Sequence, residues 1–213
     1  MYLPAHFRES RADEMQRLIA AHPFGIFVTR SADGLDADHL PFAFDAGGGE
    51  HGILTSHVAR ANPVWEQCRD GDEVLVIFRG PEGYISPNWY PSKHETHRQV
   101  PTWNYQVVHA LGTLHIHHDE KFLRSIVGRL TRTHEECNGE ERPWRMADAP
   151  RDYMDAMLAA IVGLEIRITR LEGKSKLGQN KEERDRENVA RTLQERGDAD
   201  LADAMARSLA ADK

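Results

Sequence analysis

The chain has 213 residues, enough for one large domain with a hydrophobic core, or one domain with an appended piece. Apolar residues make up 40% and charged residues 29%, proportions that exclude a disordered chain. Lysine and arginine total 27 against 34 aspartates and glutamates, and the net charge of −7 argues against non-specific gripping of a nucleic-acid backbone.

No run approaches the ~20 apolar residues that span a bilayer, so no membrane association is expected. The opening Met1-Tyr2-Leu3-Pro4-Ala5-His6 has neither a basic nor an apolar signal region. Cys68 and Cys137 form no CxxC motif, which suits a reducing cytoplasm and no disulfide framework.

Residues 10–22 predict a helix, with Ser10 as N-cap, Met15, Leu18 and Ile19 on one stripe, and His22-Pro23 as its end. Phe24 to Arg30 predicts a strand, and Asp33-Gly34 the turn after it. Asp38 to Phe44 resumes as a strand that Pro41 confines to an edge or a bulge. After a triple-glycine turn at 47–49, His51 to Thr55 is a third strand. Asn62-Pro63 predicts a short helix through Cys68, and Glu73 to Phe78 is a buried strand.

Residues 79–105 read differently. Prolines 81, 87, 91 and 101 forbid one long regular element, and Tyr84, Trp89, Tyr90, Trp103 and Tyr105 crowd the segment. Such a loop either has a function or packs its rings into a core edge.

Val107 to His117 predicts a strand with a bend at Gly112, and 119–137 a strongly amphipathic helix. A helix begins near Asp148 and Pro150, and Leu164 to Leu171 alternates as a half-buried strand. The charged tail, 181–213, carries thin helical stripes and is expected as an extension to a domain over 1–180, packing on the body or on a partner chain. About six strands, hairpin-linked early, with four or five helices predict an α+β fold around an antiparallel barrel. No GxGxxG follows a strand and no GxxxxGK[ST] occurs, so neither nucleotide fold has support.

Two units bear chemistry. Thr55-Ser56-His57-Val58-Ala59-Arg60 joins a strand end to a helix, and its hydroxyls and guanidinium suit a phosphate. Taken alone, the same residues read rather as a capped turn with a solvated arginine. Lys174, Lys176 and Lys181 gather positive charge around Gly173 and Gly178, either to face an anion or as an ordinary loop before an exposed helix.

The histidines show no structural-zinc spacing. His94 and His97, His115 and His117, and His134 with Cys137 are pairs only, and no metal site is expected. A haem held by one of them is the lesser alternative. No GxSxG elbow and no helix-turn-helix are present.

At these motifs the chain resembles the PaiB-type family, described as FMN-binding negative transcriptional regulators. The segments that carry the resemblance are MYLPAHF, DADHLPF, LTSHVARANP, VIFRGPEGYISPNWYPSK, VPTWNYQVVHALG and GKSKLGQN, in order from residue 1 to about 190. The resemblance implies an antiparallel FMN-binding split barrel and a homodimer with two flavin sites at the subunit interface. It implies that Thr55 and Arg60 hold the FMN phosphate. Val58 stands where the wider group often has serine, and Ser56 offers the nearest other hydroxyl. Ser175 and Gly178 stand where the family usually has tryptophan and serine.

The expected cofactor-binding set is thus Thr55, Ser56, His57 and Arg60, then Trp89, Trp103, Asn104 and Tyr105, then Lys174, Lys176 and Gln179. Two functions follow: an FMN-binding regulator that acts on DNA directly or indirectly, and an FMN-dependent oxidoreductase. No catalytic residue is assigned. His39, His57 and His109 are proton donors by residue type only.

Overall fold

The structure is a computed structural model and describes residues 1–211. Asp212 and Lys213, the end of the expected tail, lie outside the described residues. The elements run β1 (Arg8–Glu9), α1 (Ala12–Ala21), β2 (Phe24–Ser31), β3 (Gly34–Pro41), β4 (Ala43–Asp45), β5 (Ile53–Ala59), α2 (Val64–Gln67), β6 (Glu73–Ile85), α3 (Pro91–Thr96), β7 (Thr102–His117), α4 (Glu120–Cys137), α5 (Arg151–Ala159), β8 (Ile161–Lys176), α6 (Glu183–Arg196) and α7 (Ala199–Ala211). The strands follow the order β3-β2-β6-β7-β8-β5-β4, with β1 paired to β8. This is the antiparallel sheet with flanking helices that the strand and helix runs predict.

The chain divides into two compact units. A central unit holds Ile19–Phe78 and His109–Leu171, and a terminal unit holds Met1–Leu18, Arg79–Val108 and Glu172–Lys213. The backbone passes from one to the other within α1, β6, β7 and β8.

In the central unit the Asp33-Gly34 turn closes the β2–β3 hairpin, with register from Ser31↔Gly34 to Phe24↔Pro41. β3 stops at Pro41, and the Phe42 N–H donates to Pro23 O, so the predicted single strand splits into β3 and β4. Phe27, Phe42 and Phe78 pack edge to face, at 6.4 and 5.8 Å between centroids. These contacts add to the burial of Leu54, Val76, Leu114, Leu164 and Ile166, each stabilising by about 1.5–3 kcal/mol relative to an exposed side chain. The Asp119 carboxylate accepts the Phe122 N–H at 2.8 Å and starts α4, whose Ile126 and Leu130 pack with Ala43. At Gly112 a Cβ would lie 2.4 Å from the Arg167 carbonyl oxygen, so the expected bend marks a close backbone approach.

The short helix α2 behaves as Asn62-Pro63 predicts, since the Asn62 side-chain oxygen accepts the Val64 N–H at 2.9 Å. Ser10 does not cap α1, which begins two residues later beside the Glu9–Arg11 ion pair.

The terminal unit overturns the irregular reading of 79–105. β6 continues to Ile85, a short 3-10 turn spans Pro87–Trp89, α3 follows, and β7 begins at Thr102. β2 pairs with β6 only at residues 75–77, so Pro81 withholds no N–H from that ladder. Pro91 sits at the start of α3, where proline is well tolerated. The tail helices turn at Gly197, whose φ of 89° is the left-handed form glycine favours. They bury Val189, Leu193, Leu201 and Met205 against Ile85, Tyr90 and Leu177, with Trp89 at the margin.

One buried carboxylate ties α6 to the proline-rich segment. Asp185 is fully buried and accepts from the Ser92 N–H at 3.0 Å and the Ser92 hydroxyl at 2.5 Å. Gln99 donates to Ser92 Oγ at 2.8 Å, and Lys181 donates to Gln99 Oε1 at 2.6 Å. Replacing Asp185 strands buried donors, so Asp185→Ala is expected to cost about 2–4 kcal/mol in urea unfolding, with Asp185→Asn costing less.

Candidate functional site

The expected site residues fall into two groups, four in the central unit and seven in the terminal unit.

The central group stands at the end of β5. Alternation along the strand puts Leu54, Ser56 and Val58 on one face, all buried, and Thr55 and His57 on the other. The Ser56 hydroxyl donates to Pro41 O at 2.7 Å, so it is spent inside the fold. Thr55 Oγ1 lies at a long 3.5 Å from Ala43 O, its only hydrogen-bond contact among the described residues. Arg60 is exposed yet pinned: Nε donates to Ala159 O and Nη2 to Ile161 O, both at 2.8 Å. Its Nη1 lies 3.5 Å from His118 Nδ1, and Trp65 donates from Nε1 to Arg60 O at 3.0 Å. A guanidinium carries five N–H groups, so the outer Nη1/Nη2 edge keeps donors to spare. A fixed arginine edge is what bidentate recognition of a phosphate or carboxylate uses. The segments DADHLPF and LTSHVARANP meet here, through Ser56 and through Asn62 Nδ2, which donates to Asp38 Oδ1 at 2.7 Å.

His57 is half-buried, and its Nδ1 is buried with no partner among the described residues. Burial pushes its pKa down, which keeps the ring neutral at pH 7.

Of the seven in the terminal unit, Asn104 and Lys176 line a cavity of about 190 Å³, together with Phe7, Tyr90, Val100, Pro101, Thr102, Gly178, Asn180 and Lys181. Four of the six segments that carry the resemblance converge on it, through Phe7, Tyr90, the 100–104 run and the 176–180 run. Lys176 Nζ donates to Thr102 Oγ1 and to Trp103 O, and lies 5.7 Å from the Phe7 ring centroid. Burial pushes its pKa down, and the charges of Lys174 and Lys181 push in the same direction. Lys181 Nζ lies 5.4 Å from the Tyr90 ring centroid. Asn104 is 1% exposed; its Nδ2 is turned to Met205 Sδ at 3.5 Å and its Oδ1 has no partner among the described residues.

The other expected residues are placed as follows. Lys174 donates to Tyr2 O and lies over the rings of Tyr2 and Tyr105. Gln179 spends its amide on its own loop, donating to Ser175 O and accepting the Leu177 N–H. Trp89 packs on the helical cluster with Arg196 over its ring. Trp103 is exposed and meets the exposed Tyr84 edge to face at 6.3 Å. Phe7, Tyr90, Thr102 and Asn180 are lining residues that sequence reasoning did not assign, although each lies in or beside a quoted motif. His118 and Trp65, which frame Arg60, have no spacing signal. Among the described residues no group of three or more His, Cys, Asp or Glu side chains comes together to hold a metal. Among the described residues no helix is long and apolar enough to cross a membrane.

A family model described as "Putative FMN-binding domain" matches residues 1–170. The chain is 31% identical over 194 residues to the protease synthase and sporulation protein PAI 2 of Bacillus subtilis, spanning 91% of this chain and 89% of that protein. It is 34% identical over 222 residues to an uncharacterized protein of Emericella nidulans, spanning 89% and 88%. Among solved structures it is similar to the FAD and heme binding protein from Mycobacterium smegmatis, with a TM-score of 0.59 at 16% identity over 80% of this chain and 74% of that one. It is also similar to a flavocytochrome from Azotobacter vinelandii, with a TM-score of 0.53 at 14% identity over 81% and 70%. At these identities the structural likeness carries the fold alone, and the fold is the α+β, split-barrel class that the sequence predicts.

Two titrations report on these groups. Burial, with the Asp185 charge adding to it, pushes the Tyr90 hydroxyl up to about 12. Below its unfolded pKa near 10 the tyrosine is neutral in both states; above it the unfolded chain ionises first. Stability is therefore expected to fall between pH 10 and about 12, and Tyr90→Phe to flatten that limb in urea melts. His57 acts at the other end. The unfolded ring takes up a proton first as pH falls below about 6.5, so stability is lost on acidification, and His57→Gln is expected to shallow that loss.

Proposed function

The chain belongs to the "Putative FMN-binding domain" family, and from that premise we propose that it binds FMN as a homodimer and acts as a PaiB-type regulator. The observation that carries the phosphate end is Arg60, a guanidinium fixed by two backbone carbonyls with its outer edge open. Thr55, with its loosely engaged hydroxyl, completes the grip in this reading, and with His57 kept neutral by burial Arg60 is the cation of the group. Ser56, turned inward to Pro41 O, takes no part.

Trp103 and Tyr84, 56% and 49% exposed, are large aromatic surfaces of the kind that an isoalloxazine face or a subunit interface covers. Lys174, held over Tyr105, supplies positive charge for the electron-rich edge of the ring system. The regulatory role rests on the likeness to PAI 2, the sporulation protein of Bacillus subtilis, and any contact with DNA is made directly or through another protein. We place the protein in the cytoplasm, where the free thiols Cys68 and Cys137 persist.

An oxidoreductase is the second reading. Bound flavin would supply the electron chemistry. This chain would supply proton-handling groups with shifted pKa values, His57 and Lys176.

Arg60→Ala is expected to weaken FMN by tenfold or more, about the worth of one charged hydrogen bond, and to leave riboflavin unchanged. Fluorescence titration of both ligands decides it, and equal losses would refute the phosphate assignment. Light scattering reads the dimer. NAD(P)H oxidation or peroxide release favours the enzyme, and salt-dependent promoter binding favours the regulator.

A further inference from the structure

A larger cavity opens elsewhere in the terminal unit, to which all its lining residues belong. Its volume of about 620 Å³ lies within the roughly 300–1,000 Å³ of small-molecule sites. One wall is a face of α7, where Ala204, Arg207, Ser208 and Ala211 recur at helical spacing. β1 and the start of α1 form another, and the end of β8 with Gln106 of β7 forms the floor.

Charge and polarity single this cavity out. Four arginines and two glutamates line it, a surplus of two positive charges in a chain whose net charge is −7. Both carboxylates are already paired, Glu9 with Arg11 at 2.7 Å and Glu14 with Arg17 at 2.8 Å. Arg11 spends only Nε and Nη2 on Glu9, so Nη1 keeps its donors. Arg207 is exposed and has no ion-pair partner among the described residues. Three lining side chains are polar and buried: Gln106 donates to Ser175 Oγ at 2.9 Å, and Arg186 donates to Ser208 Oγ at 3.1 Å. Gln106 Oε1 accepts no hydrogen bond among the described residues and is not sealed from solvent, so it is an acceptor that a ligand can reach. Among the described residues no Phe, Tyr or Trp lines the cavity.

We propose that this cavity binds a hydroxylated phosphate monoester of the sugar-phosphate class, the phosphate meeting Arg207 and a hydroxyl donating to Gln106 Oε1. A phosphate monoester carries about two negative charges at pH 7, which matches the surplus of the lining. A guanidinium with an open edge suits its oxygens, and hydroxyls suit a floor of amide and serine groups. A flat ring finds no large aromatic wall to stack on, which sets this ligand apart from an isoalloxazine. Of the residues expected to hold flavin only Gln179 lines the cavity, and its amide is spent within its own loop. The inference goes beyond the flavin reading and stands without it.

Calorimetry on the full chain tests it with glucose 6-phosphate, against glucose, which lacks the charge, and inorganic phosphate, which lacks the hydroxylated body. Saturable binding of glucose 6-phosphate is expected, at least tenfold tighter than either part. Arg207→Gln, a surface change, is expected to weaken it about tenfold, and Gln106→Leu to reduce it to the level of inorganic phosphate. Should Gln106→Leu not fold, Arg207→Gln and the wild-type comparison decide. Arg60→Ala is expected to leave glucose 6-phosphate binding unchanged, because that arginine belongs to the central unit. Equal affinity for inorganic phosphate, no saturation by ~10 mM glucose 6-phosphate, unchanged affinity in Arg207→Gln, or displacement by an equal concentration of FMN would each overturn the proposal.

Discussion

Seven consecutive antiparallel partners, from Ile53↔Arg167 to Ala59↔Ile161, tie β5 to β8, and Arg8↔Lys174 with Glu9↔Gly173 tie β1 to the other end of β8. The first ladder sets the relation between Arg60 and the carbonyls of Ala159 and Ile161, so a register slip of one residue would unpin the guanidinium. The second fixes the strand that delivers Lys174 and Lys176 into the final loop. A single strand therefore sets the position of the arginine in one unit and the lysines in the other. Neither cluster is a loop decoration, since both are anchored by backbone hydrogen bonds.

Charge inside the terminal unit is handled in a chain rather than by isolated pairs. Asp185 is fully buried and takes its donors from Ser92 and Gln99. Gln99 then faces Lys181 with its other end. The amide thus conveys negative potential from the core to the cavity wall without placing a carboxylate there. The arrangement satisfies a buried acceptor, and it keeps Lys181 oriented with N–H groups unspent.

Much of the fold is legible in the sequence because its signals are local. The Asp33-Gly34 hairpin, the Asn62 cap and the α4 stripe each depend on residues a few positions apart. The reading of 79–105 fails for a different reason. Pro81 breaks a strand only where its missing N–H faces a neighbour, and which strand lies beside it is decided by distant pairing. The same limit applies to the site. The family resemblance singles out Thr55 and Arg60, but that Ser56 points inward and that Arg60 grips two carbonyls are facts of β5 and β8 register. Lys176 and Asn104 stand out by type, yet their meeting with Phe7 and Tyr90 joins four separate stretches of chain.

Gly112 has no room for even a methyl group before the Arg167 carbonyl. Every side chain larger than hydrogen there must pry β7 from β8, the strand on which both clusters hang. A saturation mutagenesis map of this protein would thus score position 112 as intolerant as any ligand contact, although it touches no ligand. Intolerance in such a map marks the scaffold here as readily as the chemistry, and binding readouts rather than survival counts are what separate the two.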